Sequence, residues 1–132
     1  MKREVITTKD GSKTIHLPEW NENYHSHHGA YQEAMHVFIN SGLKKFTRTK
    51  KPISVLEIGF GTGLNALLTF IHTSKNNPIL YTGIEAYPVN QNELDALNYT
   101  ELDALQAHQS VYQKIHSTQC NKWEAIDQHF KL

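Results

Sequence analysis

The sequence holds a single cysteine, carries no net charge and contains no long apolar run. Cys120 alone cannot form an internal disulfide, so a reducing cytoplasm is the expected compartment. No stretch approaches the roughly 20 apolar residues of a membrane span, and the polar start Met1-Lys2-Arg3-Glu4 is unlike a secretory signal. No membrane partner is expected. Thirteen basic and thirteen acidic side chains cancel, so any nucleic-acid contact would rest on a local patch and not on a global field. There is no internal repeat and no low-complexity tract. At 132 residues and 39% hydrophobic content, the chain can build one core but not two.

Against these absences stands one dense motif. Glu57-Ile58-Gly59-Phe60-Gly61-Thr62-Gly63-Leu64-Asn65 follows the apolar stretch Ile53-Ser54-Val55-Leu56, and Glu85 closes a second apolar stretch, Ile79 to Glu85. A strand must stop, turn sharply through positions without side chains, and start a helix whose free N–H groups face a ligand. An acidic residue at the next strand tip then accepts from two ribose hydroxyls. A dinucleotide fingerprint needs glycine or alanine at the sixth place, which here is Leu64. No Lys-Ser or Lys-Thr follows, so a phosphate-gripping P-loop is excluded. The remaining pattern, G-x-G-x-G with an acid two places earlier, resembles the first motif of S-adenosylmethionine-dependent methyltransferases.

The rest of the chain supplies the frame. Val5-Ile6-Thr7-Thr8 and Thr14-Ile15 are β-formers around Asp10-Gly11, which predicts a hairpin appended to the fold. From about Gly29 a helix is predicted, with Ala30, Ala34, Val37 and Phe38 on one inward stripe and Gly42 at its end. Lys44 to Lys51 is a basic connector, read as a solvated loop or as an RNA-backbone contact. Leu64, Leu67, Leu68 and Ile71 line a helix that Asn76-Asn77-Pro78 terminates. Strand, helix and strand then form one crossover unit of a parallel sheet. Asn90 with Glu93 makes a capping-box start to the next helix, and Thr100 is expected to begin another carrying Leu102, Leu105, Tyr112 and Ile115. The tail from Trp123 to Leu132 has no clear period.

Two further stretches narrow the match: Tyr24-His25-Ser26-His27-His28-Gly29-Ala30-Tyr31-Gln32-Glu33-Ala34 and Tyr81-Thr82-Gly83-Ile84-Glu85-Ala86-Tyr87-Pro88. With the glycine motif, and with Phe60 and the Leu64-Asn65 pair in particular, they resemble the MnmC-type methyltransferases. The resemblance runs roughly from Tyr24 to Leu132. It implies an α/β, Rossmann-like class I methyltransferase fold, with a parallel-sheet core, an N-terminal β-hairpin and a helix. The implied reaction is methyl transfer from S-adenosylmethionine to the 5-aminomethyl group of a tRNA wobble (2-thio)uridine. Members of that family continue past the point where this sequence stops, into a strand that supplies an acid to the reaction centre. The chain is therefore expected to be the N-terminal part of one methyltransferase domain, truncated at its C-terminus. Its parts would be a hairpin appendage (1–22), an upstream helix and basic connector (23–51), and a cofactor-binding core (52–132).

The candidate cofactor residues follow. Gly59, Gly61 and Gly63 allow close backbone approach, while Thr62 and Asn65 are placed to bond the ligand or to cap the helix. Glu85 is the ribose acceptor, because a carboxylate takes two hydrogen bonds and a ribose offers two adjacent donors. Ala86 and Tyr87 follow it, with Tyr87 either packing on adenine or forming an ordinary rim. Glu57 is expected beneath the methionine end, or fixing the turn by accepting backbone N–H bonds. Burial would raise its pKa unless such partners are present. The resemblance adds Phe60, gives Glu33 to the methionine ammonium (otherwise a surface helix residue), and puts Tyr24 and Ser26 at the rim. His25, His27 and His28 lack further ligands at a zinc-like spacing, so no metal is expected; they are read as polar loop histidines near the pocket, placed to meet substrate phosphate. The catalytic acid would lie beyond Leu132, which predicts weak or absent turnover by this chain alone.

Two other readings stay open. One is a catalytically incomplete cofactor-binding fragment that needs missing strands or a partner chain; an unpaired sheet edge would then favour self-association. The other is a methyltransferase acting on a small molecule or a protein, since fold and cofactor do not fix the acceptor.

Overall fold

A computed structural model describes all 132 residues. Its first unit is an antiparallel meander of β1 (Glu4–Thr7), β2 (Lys13–Leu17) and β3 (Glu22–Asn23). Val5 pairs with Ile15, and Leu17 with Glu22. The predicted hairpin is present, with Gly11 at φ +83° in its turn. It is more than an appendage, because Ile15 and Leu17 join the same core cluster as the rest of the chain. The turn also caps the next helix. Thr8 Oγ1 accepts from the Ala30 amide at 3.3 Å, Ser12 Oγ from Tyr31 at 3.1 Å, and Asp10 Oδ2 from Gln32 at 2.9 Å. Three of the four N–H groups that a helix start leaves unpaired are thus satisfied by one turn.

The helix opens as α1 (Ala30–Glu33) and continues as a π-helical segment over Ala34–Asn40. This corrects the predicted stripe. A wider π turn carries the inward face from Ala34 to Ile39, both buried, and leaves Val37 58% exposed. Phe38 remains half-buried against the core. The basic connector forms two short 3₁₀ turns, Leu43–Lys45 and Thr47–Thr49.

β4 (Ile53–Ile58) leads through the glycine bend into α2 (Leu64–His72), and β5 (Ile79–Ile84) lies parallel to β4 from Ile53↔Ile79 to Ile58↔Ile84. The predicted α2 stripe faces the core, with Leu64, Leu67 and Leu68 buried. α3 (Gln91–Leu97) carries the predicted capping box. Asn90 Oδ1 accepts from the Glu93 amide, and Glu93 Oε2 accepts from the Asn90 amide. The next helix starts later than expected. Asn98 adopts a left-handed conformation and Leu102 an extended one, so residues Tyr99–Glu101 and Gln106–His108 form separate 3₁₀ turns before α4 (Gln109–Ser117). Leu105, Tyr112 and Ile115 are buried as predicted.

The tail adds a strand that periodicity does not reveal. β6 (Phe130–Lys131) pairs parallel to β5, giving the sheet order β4-β5-β6. β5 is therefore central, and the outer edge of β4 has no partner strand. One face of this sheet meets the helices through Val55, Glu57, Ile79 and Tyr81. The other face is bare: Leu56 is 65% exposed, Ile58 73% and Ile84 52%. No helix is long and apolar enough to cross a membrane.

Candidate functional site

The C-terminal ends of β4 and β5 meet the glycine bend, which is where an open parallel sheet places its ligand crevice. Gly59, Gly61 and Gly63 have φ of +81°, +55° and +72°, the left-handed region that glycine enters without cost. Backbone bonds from Gly59 and Phe60 to the Ile84 carbonyl, at 2.8 and 3.0 Å, tie the bend to the tip of β5. Glu85 then reaches across. Its Oε2 accepts from the Gly61 amide at 2.7 Å, and its Oε1 accepts from the Tyr87 amide at 2.8 Å. Each oxygen keeps a second lone pair for a further donor.

A cavity of about 470 Å³ opens beside this contact. Tyr24, Glu33, Glu57, Gly59, Phe60, Gly61, Thr62, Asn65, Glu85 and Tyr87 all line it. Three other sequence candidates stand elsewhere. Gly63 lies behind the bend against His116, Ala86 is exposed past the strand tip, and Ser26 contacts Glu33 through its backbone without lining the cavity. Phe60 lines the cavity, but its ring also packs inward. A Cβ on Gly83 would collide with it, and the ring stands edge-on to Tyr81 and His116. Tyr87 is an exposed rim residue. Glu33 Oε2 accepts from the Ser26 amide at 2.7 Å, which fixes the carboxylate at the cavity wall.

Glu57 is buried and accepts from the Tyr81 hydroxyl at 2.7 Å and from Asn65 Nδ2 at 2.8 Å. Its partners are side chains and not the backbone N–H groups offered by the turn. Burial pushes its pKa up, and these two neutral donors do not cancel that cost. Asn65 Oδ1 is a buried acceptor with no partner in the chain.

Thr62 is not a ligand-facing group alone but also the anchor of the bend. Its side chain pairs with the Tyr99 hydroxyl at 3.0 Å, while its carbonyl accepts from the Tyr112 hydroxyl at 2.9 Å and from His116 Nε2 at 3.0 Å. A carbonyl only accepts, so His116 carries its proton on Nε2. Burial lowers the His116 pKa, against the bond to Thr62, so the ring donates as a neutral imidazole. No sequence signal links residues this far apart. The same holds for Met1, Leu17 and Trp20, which the meander and its exit bring to the cavity wall, whereas His25, expected near the pocket, does line it.

His27 and His28 are exposed with ring centroids 3.9 Å apart, whereas His25 turns away toward Thr14. The basic connector lies at the far end of the sheet. It precedes β4, whereas the bend follows it, so about 20 Å of strand separates them at the usual rise per residue.

No protein-family model matches the chain. It is 31% identical over 99 residues to the tRNA 5-methylaminomethyl-2-thiouridine biosynthesis bifunctional protein MnmC of Acidovorax sp. (strain JS42), a match covering 71% of this chain and 15% of the relative. The protein of the same name from Burkholderia mallei (strain SAVP1) is 32% identical over 95 residues, covering 68% and 14%. Among solved structures, MNMC2 from Aquifex aeolicus superposes with a TM-score of 0.61 at 28% identity, over 68% of this chain and 31% of that one. The chain thus spans about 15% of the length of these curated relatives.

Proposed function

Because this chain belongs to the MnmC family, we propose that it binds S-adenosylmethionine and serves methyl transfer to the 5-aminomethyl group of a tRNA wobble (2-thio)uridine. The observation that carries this reading is the 2.7 Å bond between Glu85 and the Gly61 amide at the mouth of the cavity. It places a carboxylate with spare lone pairs beside a glycine backbone that carries no side chain of its own and that the Tyr24 ring flanks.

Further features of the site fit the same ligand. A side chain on Gly59 would meet nothing within 4 Å, so the bend borders open space. The cavity is within the range of small-molecule sites, roughly 300–1,000 Å³. Three carboxylates and no lysine or arginine line it, which suits a ligand bearing a sulfonium and an ammonium. The sulfonium supplies an electrophilic methyl group. Glu85 would accept from the ribose hydroxyls, the glycine bend would admit the adenosyl portion, and Glu33 would face the ammonium. Tyr87 stands at the rim where adenine could pack. The acceptor amine must be unprotonated to react, and an apolar wall of Val37 and Phe38 disfavours its charged form.

A second reading is favoured by the bare side of the parallel sheet. There the chain is a cofactor-binding module that works only beside further strands or a partner chain. Calorimetric titration with S-adenosylmethionine tests the first step: the parent chain binds and Glu85→Ala does not. Incubation with hypomodified tRNA and labelled cofactor separates the two readings. Methyl incorporation by this chain alone supports a complete enzyme, and binding without incorporation supports the module.

A further inference from the structure

His25 is partly buried at the cavity wall, held at both its backbone and its ring by one residue. Its backbone N–H donates to Thr14 Oγ1 at 3.1 Å, and its Nδ1 lies 3.1 Å from the same oxygen. Thr14 is fully buried, and its hydroxyl has no other partner within the chain. A buried O–H left without an acceptor is costly, so the hydroxyl proton points at His25 Nδ1. That bond fixes the tautomer. Nδ1 accepts, and the ring proton sits on Nε2.

Nε2 makes no hydrogen bond within the chain, and it is not among the buried atoms that lack a partner, so it is accessible. Burial lowers the His25 pKa while Glu33 pulls it the other way, which leaves a neutral ring with one free donor. The wall around it is acidic and holds no lysine or arginine, so an anionic ligand group must be met by neutral donors such as His25, Trp20 and Tyr24. Glu33, bonded to the amide of the adjacent Ser26, marks where an ammonium would sit. In an α-amino acid the carboxylate is attached to the same carbon as the ammonium, and it must therefore find its donor close to Glu33.

We propose that His25 Nε2–H donates to the α-carboxylate at the methionine end of the cofactor. The proposal rests on the cofactor reading above. His25 is then a binding residue whose donor is set by Thr14, and not a proton acceptor in the reaction, because its Nε2 lone pair is already occupied by hydrogen.

Two measurements on the full chain test this. Nitrogen-15 NMR of the histidine rings reports the tautomer directly, with the Nε2–H form expected for His25; an Nδ1–H form overturns the proposal. Binding is then compared for S-adenosylhomocysteine, which has the amino-acid end, and 5′-methylthioadenosine, which lacks it. His25→Ala is expected to weaken the first by about tenfold to a hundredfold, the range for a bond to a charged group, and to change the second by no more than about twofold. His25→Gln, which keeps an N–H near the position of Nε2, restores most of the loss. Equal losses for both ligands would assign His25 a structural role and overturn the proposal, as would no loss for either. A parent chain that binds neither nucleoside overturns the cofactor reading itself, and this proposal with it.

Discussion

The antiparallel meander holds a half-buried carboxylate and the parallel sheet a buried one, and the two groups are pushed in opposite directions. Asp10, in the β1–β2 turn, accepts from Thr8 Oγ1, Ser12 Oγ, the Ser12 amide and the Gln32 amide. Burial raises its pKa, but these donors together outweigh the burial and hold it below the usual carboxylate range. Glu57, on β4, has only Tyr81 and Asn65, and its pKa is raised. Depth of burial and number of donors decide the sign together. Glu57 is the more deeply buried, has fewer donors and also feels the Glu85 charge. Each bond to the charged form offsets part of the cost of taking that charge from water. The meander spends its carboxylate on organising a helix start. The parallel sheet keeps one incompletely neutralised beside a cavity that we assign to a cationic ligand.

The largest effect should come from removing the better satisfied group. Asp10→Ala is expected to cost roughly 2–4 kcal/mol, since several bonds to a charged acceptor disappear together and the α1 amide of Gln32 loses its cap. Chemical denaturation gives the value, and a loss below 1 kcal/mol would show that the turn does not organise the helix. Tyr81→Phe removes one of the two Glu57 donors and should cost about 1–3 kcal/mol, while raising the Glu57 pKa further. A smaller difference appears along the pH axis, with opposite signs. Asp10 contributes stability that is present above about pH 3.9, its unfolded value, and lost as pH falls through its depressed folded value. Glu57 is the reverse: stability is greatest below about pH 4.3 and declines as pH rises through its elevated folded value. Denaturation midpoints followed across this range should lose the acid-side slope in Asp10→Asn and the higher-pH slope in Glu57→Gln. Slopes unchanged by either substitution would remove the contrast.

The smallest stability effect is expected on the sheet's outer face. Leu56→Lys and Ile58→Lys should stay within about 0.5 kcal/mol of the parent, as at other exposed sites. The same substitutions should reduce concentration-dependent self-association in sedimentation velocity, because an unpaired edge and an exposed apolar patch both favour pairing with a second copy. A parent chain that sediments as a monomer at all concentrations would count against that pairing.

These two regions also mark what could be read from the residues. The Asp10-Gly11 hairpin, the β4–α2–β5 unit and the Asn90/Glu93 capping box are local patterns, and each forms where predicted. The contact between Glu85 and Gly61 is long-range but follows from spacing, because parallel strands of equal length bring their tips together. The π-helical turn has no such signal, since its register is set by packing and Val37 looks as apolar as Ile39. The bare face is likewise silent: Leu56 and Val55 read alike in a strand meant to be covered on both sides, and only the structure separates them. β6 has two residues, too few to show alternation. The cap that the hairpin turn supplies to α1, and the hold on Thr62, join segments whose pairing only the tertiary fold determines.

That hold on Thr62 has a consequence for how the protein is made. Tyr99, Tyr112 and His116 all emerge from the ribosome well after the glycine bend they fasten. A nascent chain that has extended only through Glu85 would contain every glycine of the motif and its acidic partner, yet none of the groups that grip Thr62. Ligand binding would then mature only once α4 has been made and has docked, and not when the motif itself leaves the ribosome.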